Sequence, residues 1–224
     1  MSNYNISKFG ISIINLINIT RTVVIRKTAH HMSYLFFVRF LIVLAAFLLY
    51  LSWLEVSDNP ARKTKYDLVA VRKEGLGWVN IDSQAPNKVV KEWLETQGFD
   101  AIHPEFSYGK SRIDFAMEKA GQLYLLEVKD CTLEVNGIGY FPDAPTERGV
   151  KHLQELTQAQ QTGVRCGVAF VIQMEGITEV RPNVDTHPAF GEALALAKAA
   201  GVKVFFLLCR VGRDSLDIVD QREG

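Results

Sequence analysis

Three ionisable residues stand on two neighbouring segments that otherwise have the pattern of apolar strands. Asp114 lies in RIDFAM, and Glu127 and Lys129 lie in LYLLEVKD. Buried strands rarely hold ionised side chains unless a partner charge, a hydrogen bond or a metal compensates them. Two carboxylates held close together either share a proton or bind a cation. Mg²⁺ accepts one or two carboxylates and keeps several waters that a phosphate can replace, so these residue types suit metal-assisted phosphodiester hydrolysis.

The turn between the two segments sets which residues face each other. Ala120–Gly121 is the natural tip of a hairpin with a two-residue turn. That register places Asp114 opposite Glu127, and Arg112 opposite Lys129, all on one face of the sheet. The intervening apolar residues then share the other face and pack in the core: Ile113, Phe115, Leu126 and Val128.

The hairpin therefore predicts a site for Mg²⁺ or Mn²⁺ with Asp114 and Glu127 as ligands. Lys129, two residues from Glu127 on the same face, would orient or deprotonate the attacking water. A simpler interpretation stays open, in which the same four charges form a salt-bridge ladder on an exposed sheet face.

The elements around the hairpin predict an α/β fold. Helices alternate with strands, and the segment VRCGVAFVIQ has the continuous apolar pattern of a strand buried on both faces. This order indicates a mixed sheet flanked by helices. The predicted helices are 86–97, 147–162 and 188–200, and the predicted strands of the core are 102–108, 112–117, 123–130, 164–173 and 202–211.

Two polar residues could extend the metal site. Glu92 flanks the apolar face of the first helix and is a candidate third ligand, although a solvent-facing position is the simpler interpretation. Gln173 ends a buried strand and is a candidate polar group at the functional edge of the sheet, or only the end of that strand.

Basic residues near these elements are candidates for phosphate contacts. On the second helix, Arg148, Lys151 and His152 share one face, opposite the apolar stripe, and this face either contacts a nucleic acid or simply meets solvent. Lys110 and Arg112, at the start of the hairpin, complete the candidate nucleic-acid-binding set.

The first 54 residues differ in character from the rest. They contain five basic residues and no acidic one, so all 25 acidic residues follow them. Between Ser33 and Leu54 the chain is mostly apolar, and we expect one long apolar helix around 35–54. A membrane-spanning helix needs roughly 20 apolar residues, so two interpretations stay open: a membrane helix near 33–54, or a hydrophobic segment that is buried or misassembled. The three widely spaced cysteines suit a reducing compartment, so we expect a cytoplasmic domain, anchored to the inner membrane if the helix spans it.

Several motifs resemble a known family. The segments SDNPARK, YGKSRIDF, LLEVKD, YFPDAPTERGVKHLQEL and ALAKAAGVKV are similar, in this order, to segments of the sugar fermentation stimulation protein family of bacteria and archaea, over roughly 56–220. The order of elements also resembles the PD-(D/E)xK nuclease superfamily. The resemblance implies DNA binding and a restriction-endonuclease-like core, with the nuclease motif on Asp114, Glu127 and Lys129.

The family resemblance also implies a domain order. An OB-like domain should precede the nuclease-like domain, but residues 1–54 do not resemble one, and only its remnant is expected at 55–84. The nuclease-like domain is expected at 85–224. Two functions stay open: a DNA-binding protein with Mg²⁺-dependent nuclease chemistry, or a non-catalytic DNA-binding regulator of sugar-utilisation genes that retains a nuclease fold.

Overall fold

The structure, a computed structural model, describes residues 51–56, 66–109 and 111–224. Three helices occur in these ranges: α1 (Ala85–Glu95), α2 (Glu147–Gln161) and α3 (Pro188–Ala199). The strands are β1 (Ser52–Val56), β2 (Tyr66–Lys73), β3 (Gly77–Asn80), β4 (Ala101–Tyr108), β5 (Ser111–Lys119), β6 (Gln122–Cys131), β7 (Leu133–Val135), β8 (Ile138–Phe141), β9 (Arg165–Ile172), β10 (Val180–Pro182), β11 (Lys203–Val211) and β12 (Leu216–Glu223).

A six-stranded mixed sheet forms the centre of the fold, in the order β12-β11-β9-β6-β5-β4. Strands β6, β9 and β11 are parallel, and the pairs on either side of them are antiparallel. The antiparallel neighbours are joined by short turns, whereas the parallel ones require crossovers, which contain α2 and α3. The predicted mixed sheet flanked by helices is confirmed.

Two apolar cores cover the two faces of this sheet. The larger lies beneath α2 and α3 and includes Leu153 and Phe190, and the smaller lies beneath α1 and includes Val90 and Leu94. Strand β9 contributes alternate residues to both, which explains its continuous apolar sequence.

The N-terminal predictions are answered only in part. The predicted apolar helix does not extend to Leu54, because Ser52–Val56 is a strand that pairs with β2. Residues 1–50 lie outside the described residues. No helix within the described ranges is long and apolar enough to cross a membrane. Strands β1, β2 and β3 form a small antiparallel sheet over most of the region predicted as an OB-like remnant, and its relation to an OB-fold stays a prediction.

The hairpin between β5 and β6 has the predicted register as far as its ladder runs, and the predicted pairs of Asp114 with Glu127 and of Arg112 with Lys129 lie beyond the end of the ladder. Its pairs run from Phe115 with Leu126 to Lys119 with Gln122. Ala120 and Gly121 form the two-residue turn with φ of 51° and 75°, the combination of a turn whose twist matches that of the strands.

This turn makes the stability of the hairpin testable. Asn adopts a left-handed backbone more readily than Ala, so Ala120→Asn should raise the free energy of unfolding by about 0.5–1 kcal/mol. Gly121→Ala should lower it by about 1 kcal/mol, because an added Cβ is disfavoured at positive φ. No atom lies within 4 Å of a Cβ built on Gly121, so that variant reports backbone strain alone. Chemical denaturation measures both, and equal stabilities for the three proteins would contradict the turn assignment.

Candidate functional site

Strand β5 changes the face of its side chains at Asp114. Ile113 packs in the core beneath α2 and α3, whereas Phe115, two residues on, packs beneath α1. Residues two apart in a regular strand share a face, so the prediction that these two pack together is wrong. On β4, Glu105 has a φ of 54°, and Glu105 and Asp114 are left out of the ladder between the two strands. This irregularity separates Asp114 from the regular alternation of β5.

Asp114 lies where the ladder to β6 ends. Its Oδ2 accepts a hydrogen bond from the backbone N–H of Val128 at 2.8 Å, and its Oδ1 accepts one from Asn87 on α1 at 3.1 Å. Burial, together with the charge of Glu127, raises the pKa of Asp114 above its ordinary value, and the two donors offset this only in part. The ionised carboxylate is therefore in a position where a cation would stabilise it.

Glu127 is the most buried ionisable group of the cluster, at 2 % exposure. Its Oε1 contacts two donors, Lys129 Nζ at 2.6 Å and His152 Nδ1. Burial opposes its ionisation, but the hydrogen bond from His152 and the charge of Lys129 outweigh burial and hold the pKa of Glu127 below its ordinary value. Its Oε2 is buried and has no hydrogen-bond partner in the part of the chain that the structure describes.

His152 lies on the buried side of α2, so its predicted place on the outer face of the helix is wrong. The buried residues of the helix are Gly149, His152, Leu153, Leu156 and Ala159. A polar ring can occupy this stripe because Glu127 provides a partner for it. The second ring nitrogen, Nε2, lies 3.4 Å from Nε of Arg148, which is exposed.

The structure does not bring every predicted residue to this cluster. Glu92 is exposed and lines a separate cavity with Trp53 and Arg213, and the α1 residue that contacts Asp114 is Asn87 instead. Gln173 is fully buried, and its amide Nε2 donates to Asn80 Oδ1 at 2.7 Å, which ties β9 to β3. Its Oε1 has no partner among the described residues.

The arginine and lysine residues that are candidates for phosphate contacts are exposed, apart from one that lies outside the described residues. Arg112 is exposed with its guanidinium 3.6 Å from Glu105, and the predicted pairing with Lys129 is not formed because the ladder between β5 and β6 stops earlier. Lys151 is exposed and lies 3.7 Å from Glu155. Lys110 lies outside the described residues.

Sequence reasoning did not find Asn87 or the contact between His152 and Glu127. Asn87 is 27 positions from Asp114, and His152 is 25 positions from Glu127. Only the packing of α1 and α2 on opposite faces of the sheet brings these residues to the hairpin. No local pattern in the sequence signals either contact.

The residues present fit a hard divalent cation. The charge of Glu127 raises the pKa of Asp114, and one oxygen of Glu127 is buried without a partner among the described residues. Among the described residues there is no group of three or more His, Cys, Asp or Glu that could hold a metal. Two carboxylates with the remaining positions left to water are the ligand set typical of Mg²⁺.

The mixed sheet, with the buried Glu127 and the half-buried Asp114 where its parallel and antiparallel parts meet, defines an α/β protein with a candidate cation site. The family model described as sugar fermentation stimulation protein RE domain matches residues 84–215. A sugar fermentation stimulation protein homolog from Desulfitobacterium hafniense is 48 % identical over 171 residues, 75 % of each chain. One from Clostridium beijerinckii is 46 % identical over 172 residues, 75 % of this chain and 76 % of the relative. The chain belongs to the sugar fermentation stimulation protein family, which confirms the resemblance seen in the motifs.

A solved structure supports the fold. The chain matches SfsA from Pyrococcus furiosus, solved in complex with Ca²⁺, with a TM-score of 0.66 and 24 % sequence identity. The match covers 77 % of this chain and 74 % of that one. At this identity the likeness shows a shared fold.

The two carboxylates should affect stability in opposite directions. A raised pKa means that the folded state holds the Asp114 proton more tightly than the unfolded state, so its charge destabilises the fold at neutral pH. Asp114→Asn should therefore raise the melting temperature by a few degrees, corresponding to about 1 kcal/mol. The gain should fade as pH falls towards 3.8, the ordinary pKa of an aspartate.

Glu127→Gln should do the reverse. Its lowered pKa contributes stability above the ordinary value of 4.5, and this contribution is lost as pH falls through the folded-state pKa. At neutral pH the variant should lose about 1–3 kcal/mol, because Lys129 is left in a largely buried place without its counter-charge. Thermal unfolding in EDTA measures both variants, with exposed Glu95→Gln as the control. Effects of the same sign for Asp114 and Glu127 would contradict the assigned environments.

Proposed function

We propose that the protein binds DNA and hydrolyses its phosphodiester bonds with Mg²⁺ or Mn²⁺, through a restriction-endonuclease-like core of the PD-(D/E)xK type. The observation that carries the proposal is the buried Oε2 of Glu127, which has no partner among the described residues. The other oxygen of this carboxylate contacts Lys129, and its charge raises the pKa of Asp114. The Ca²⁺ in the complex of the Pyrococcus furiosus relative supports it, since Ca²⁺ and Mg²⁺ both prefer oxygen ligands.

Asp114 and Glu127 would hold the cation. When bound, it stabilises the negative charge that develops on the phosphate in the transition state. The surroundings shift the pKa values of the two carboxylates in opposite directions. Hydrogen bonds and Lys129 keep Glu127 ionised, whereas burial and the neighbouring charge leave Asp114 to be stabilised by the incoming cation.

Lys129 is suited to positioning water and phosphate. Its side chain is 12 % exposed and that of Glu127 is 2 % exposed, so Lys129 lies between the buried carboxylate and solvent. One of its three N–H groups contacts Glu127 Oε1, which leaves the others to donate to an attacking water or to a phosphate oxygen.

The exposed face of α2 is the proposed DNA contact. Arg148 and Lys151 are one turn apart and both exposed, and Arg148 contacts His152, which in turn contacts Glu127. Backbone phosphates are contacted by such side chains without base recognition. The net charge of the whole chain is zero, so the attraction for DNA must come from local groups of this kind.

One observation favours the alternative, a DNA-binding regulator of sugar-utilisation genes without turnover. Lys129 and His152 both contact the same oxygen of Glu127, so this carboxylate is kept ionised with no cation present. The two functions share DNA binding and differ in cleavage.

Cleavage separates the two functions. Single- and double-stranded DNA should be cut by the full chain with Mg²⁺ or Mn²⁺ and left intact in EDTA. Asp114→Ala should lose both cleavage and thermal stabilisation by the metal, because it removes a ligand. Lys129→Ala should keep the stabilisation and lose about 10²–10³-fold in rate, because it removes a donor to the reacting groups.

The control for cleavage is Glu95→Gln, which should behave as the wild type. A wild-type chain that binds DNA and is stabilised by Mg²⁺ but never cuts would establish the regulator. A chain that shows no response to either metal would rule out the metal site.

Salt dependence tests the DNA-binding face. The double variant Arg148→Ala/Lys151→Ala should weaken binding about equally for all DNA sequences. The slope of log K against log salt should shrink by about 1.8 in magnitude, roughly 0.9 for each lost phosphate contact. Fluorescence anisotropy in EDTA measures the slope without cleavage.

Helix α1 provides a matched control. Lys88 and Lys91 have the same spacing as Arg148 and Lys151, and Lys91 pairs with Glu95 at 3.8 Å as Lys151 does with Glu155. The variant Lys88→Ala/Lys91→Ala should leave the slope unchanged. Equal slopes for the two double variants would show that α2 meets only solvent.

A further inference from the structure

We infer that His152 is the positioning residue that fixes the orientation of the Glu127 carboxylate, so that Oε2 is presented to the cation. The inference rests on the proposed metal site. A row of contacts runs from Arg148 through His152 to Glu127 and connects the first turns of α2 with the middle of β6. His152 does not contact DNA in this arrangement, because its ring is buried and both ring nitrogens are engaged.

The contact with Arg148 determines the tautomer of the imidazole. The Nε of an arginine always carries a hydrogen, so His152 Nε2, at 3.4 Å, must accept. The single proton of a neutral ring is then on Nδ1. His152 Nδ1–H therefore donates to Glu127 Oε1.

The donor from His152 restricts rotation of the carboxylate in a way that Lys129 cannot. Lys129 has a long flexible side chain and an ammonium that follows either oxygen. The ring of His152 is rigid and is packed on the buried stripe of α2, so it holds Oε1 at one place. With Oε1 engaged by both donors, Oε2 remains the oxygen without a partner. Second-shell donors of this kind commonly orient metal ligands.

A purely structural role for His152 makes a different prediction. If the ring only filled space, its replacements would differ in stability according to their volume, and metal affinity would follow stability. If the ring acts through Nδ1–H, only a replacement with a donor at that atom position retains metal affinity. Asn places its amide nitrogen at the position of Nδ1, whereas Gln places its own at the position of Nε2.

The test compares His152→Asn, His152→Gln and His152→Ala in the full chain, with Mn²⁺ titrated by calorimetry in the absence of DNA. His152→Ala and His152→Gln should bind Mn²⁺ about 10–100-fold more weakly than the wild type, and His152→Asn should stay within about threefold of it. Thermal unfolding of the three variants in EDTA gives the structural effect separately.

Nitrogen NMR of the metal-free wild type provides a second readout. At alkaline pH the ring proton of His152 should reside on Nδ1. A proton on Nε2 would overturn the inference, as would equal Mn²⁺ affinities for the three variants. If the wild type itself binds no Mn²⁺, the proposed metal site is wrong and the role of His152 falls with it, whereas Mn²⁺ binding that is indifferent to position 152 removes only the role of His152.

Discussion

The site depends on how the protein keeps a carboxylate ionised inside its sheet. Glu127 is 2 % exposed, and transfer of a lone carboxylate into such a place costs several kcal/mol. Lys129 on the same strand and His152 on α2 compensate it through one oxygen. This requirement links the elements: β6 supplies the acid and the lysine, and α2 must cross the sheet where its second turn meets Glu127. The packing of α2 and the chemistry of the site are therefore fixed by the same contact.

The site also depends on the position of β6 in the sheet, where the antiparallel and the parallel strands meet. Strand β6 is antiparallel to β5 and parallel to β9. The ladder to β5 stops at Phe115 and Leu126, so the N–H of Val128 is available to Asp114 instead of to the backbone of β5. A fully paired hairpin would have used that donor and held Asp114 in the regular alternation. The interruption of the ladder is thus what brings the aspartate into reach of β6 and α1.

How far the sequence predicts this structure depends on how local each determinant is. The register of the hairpin follows from a two-residue turn and an alternation read along a few residues, and it was predicted correctly. The change of face at Asp114 was not, because it accompanies an irregular backbone at Glu105 on another strand. The burial of His152 was missed because residue type suggests solvent, while the partner that permits burial is distant in sequence. The predicted helix is wrong at 52–54, which lie in β1, because hydrophobicity alone does not distinguish a helix from a short strand.

The pKa of Asp114 is raised and that of Glu127 is lowered, and this difference helps to distinguish between the possible functions of the cluster. A protein that only bound DNA through α2 would need neither the unpartnered oxygen of Glu127 nor the raised pKa of Asp114. An Asn at position 114 would still accept from Val128 through its Oδ1 and would remove an unfavourable charge. Sites that hold charge at the expense of stability are characteristic of binding and catalysis rather than of packing. The Val128 N–H, Lys129 and Asn87 offset the destabilisation of Asp114 only in part, and the cation that we propose between the two carboxylates would relieve the rest, which a salt-bridge ladder does not.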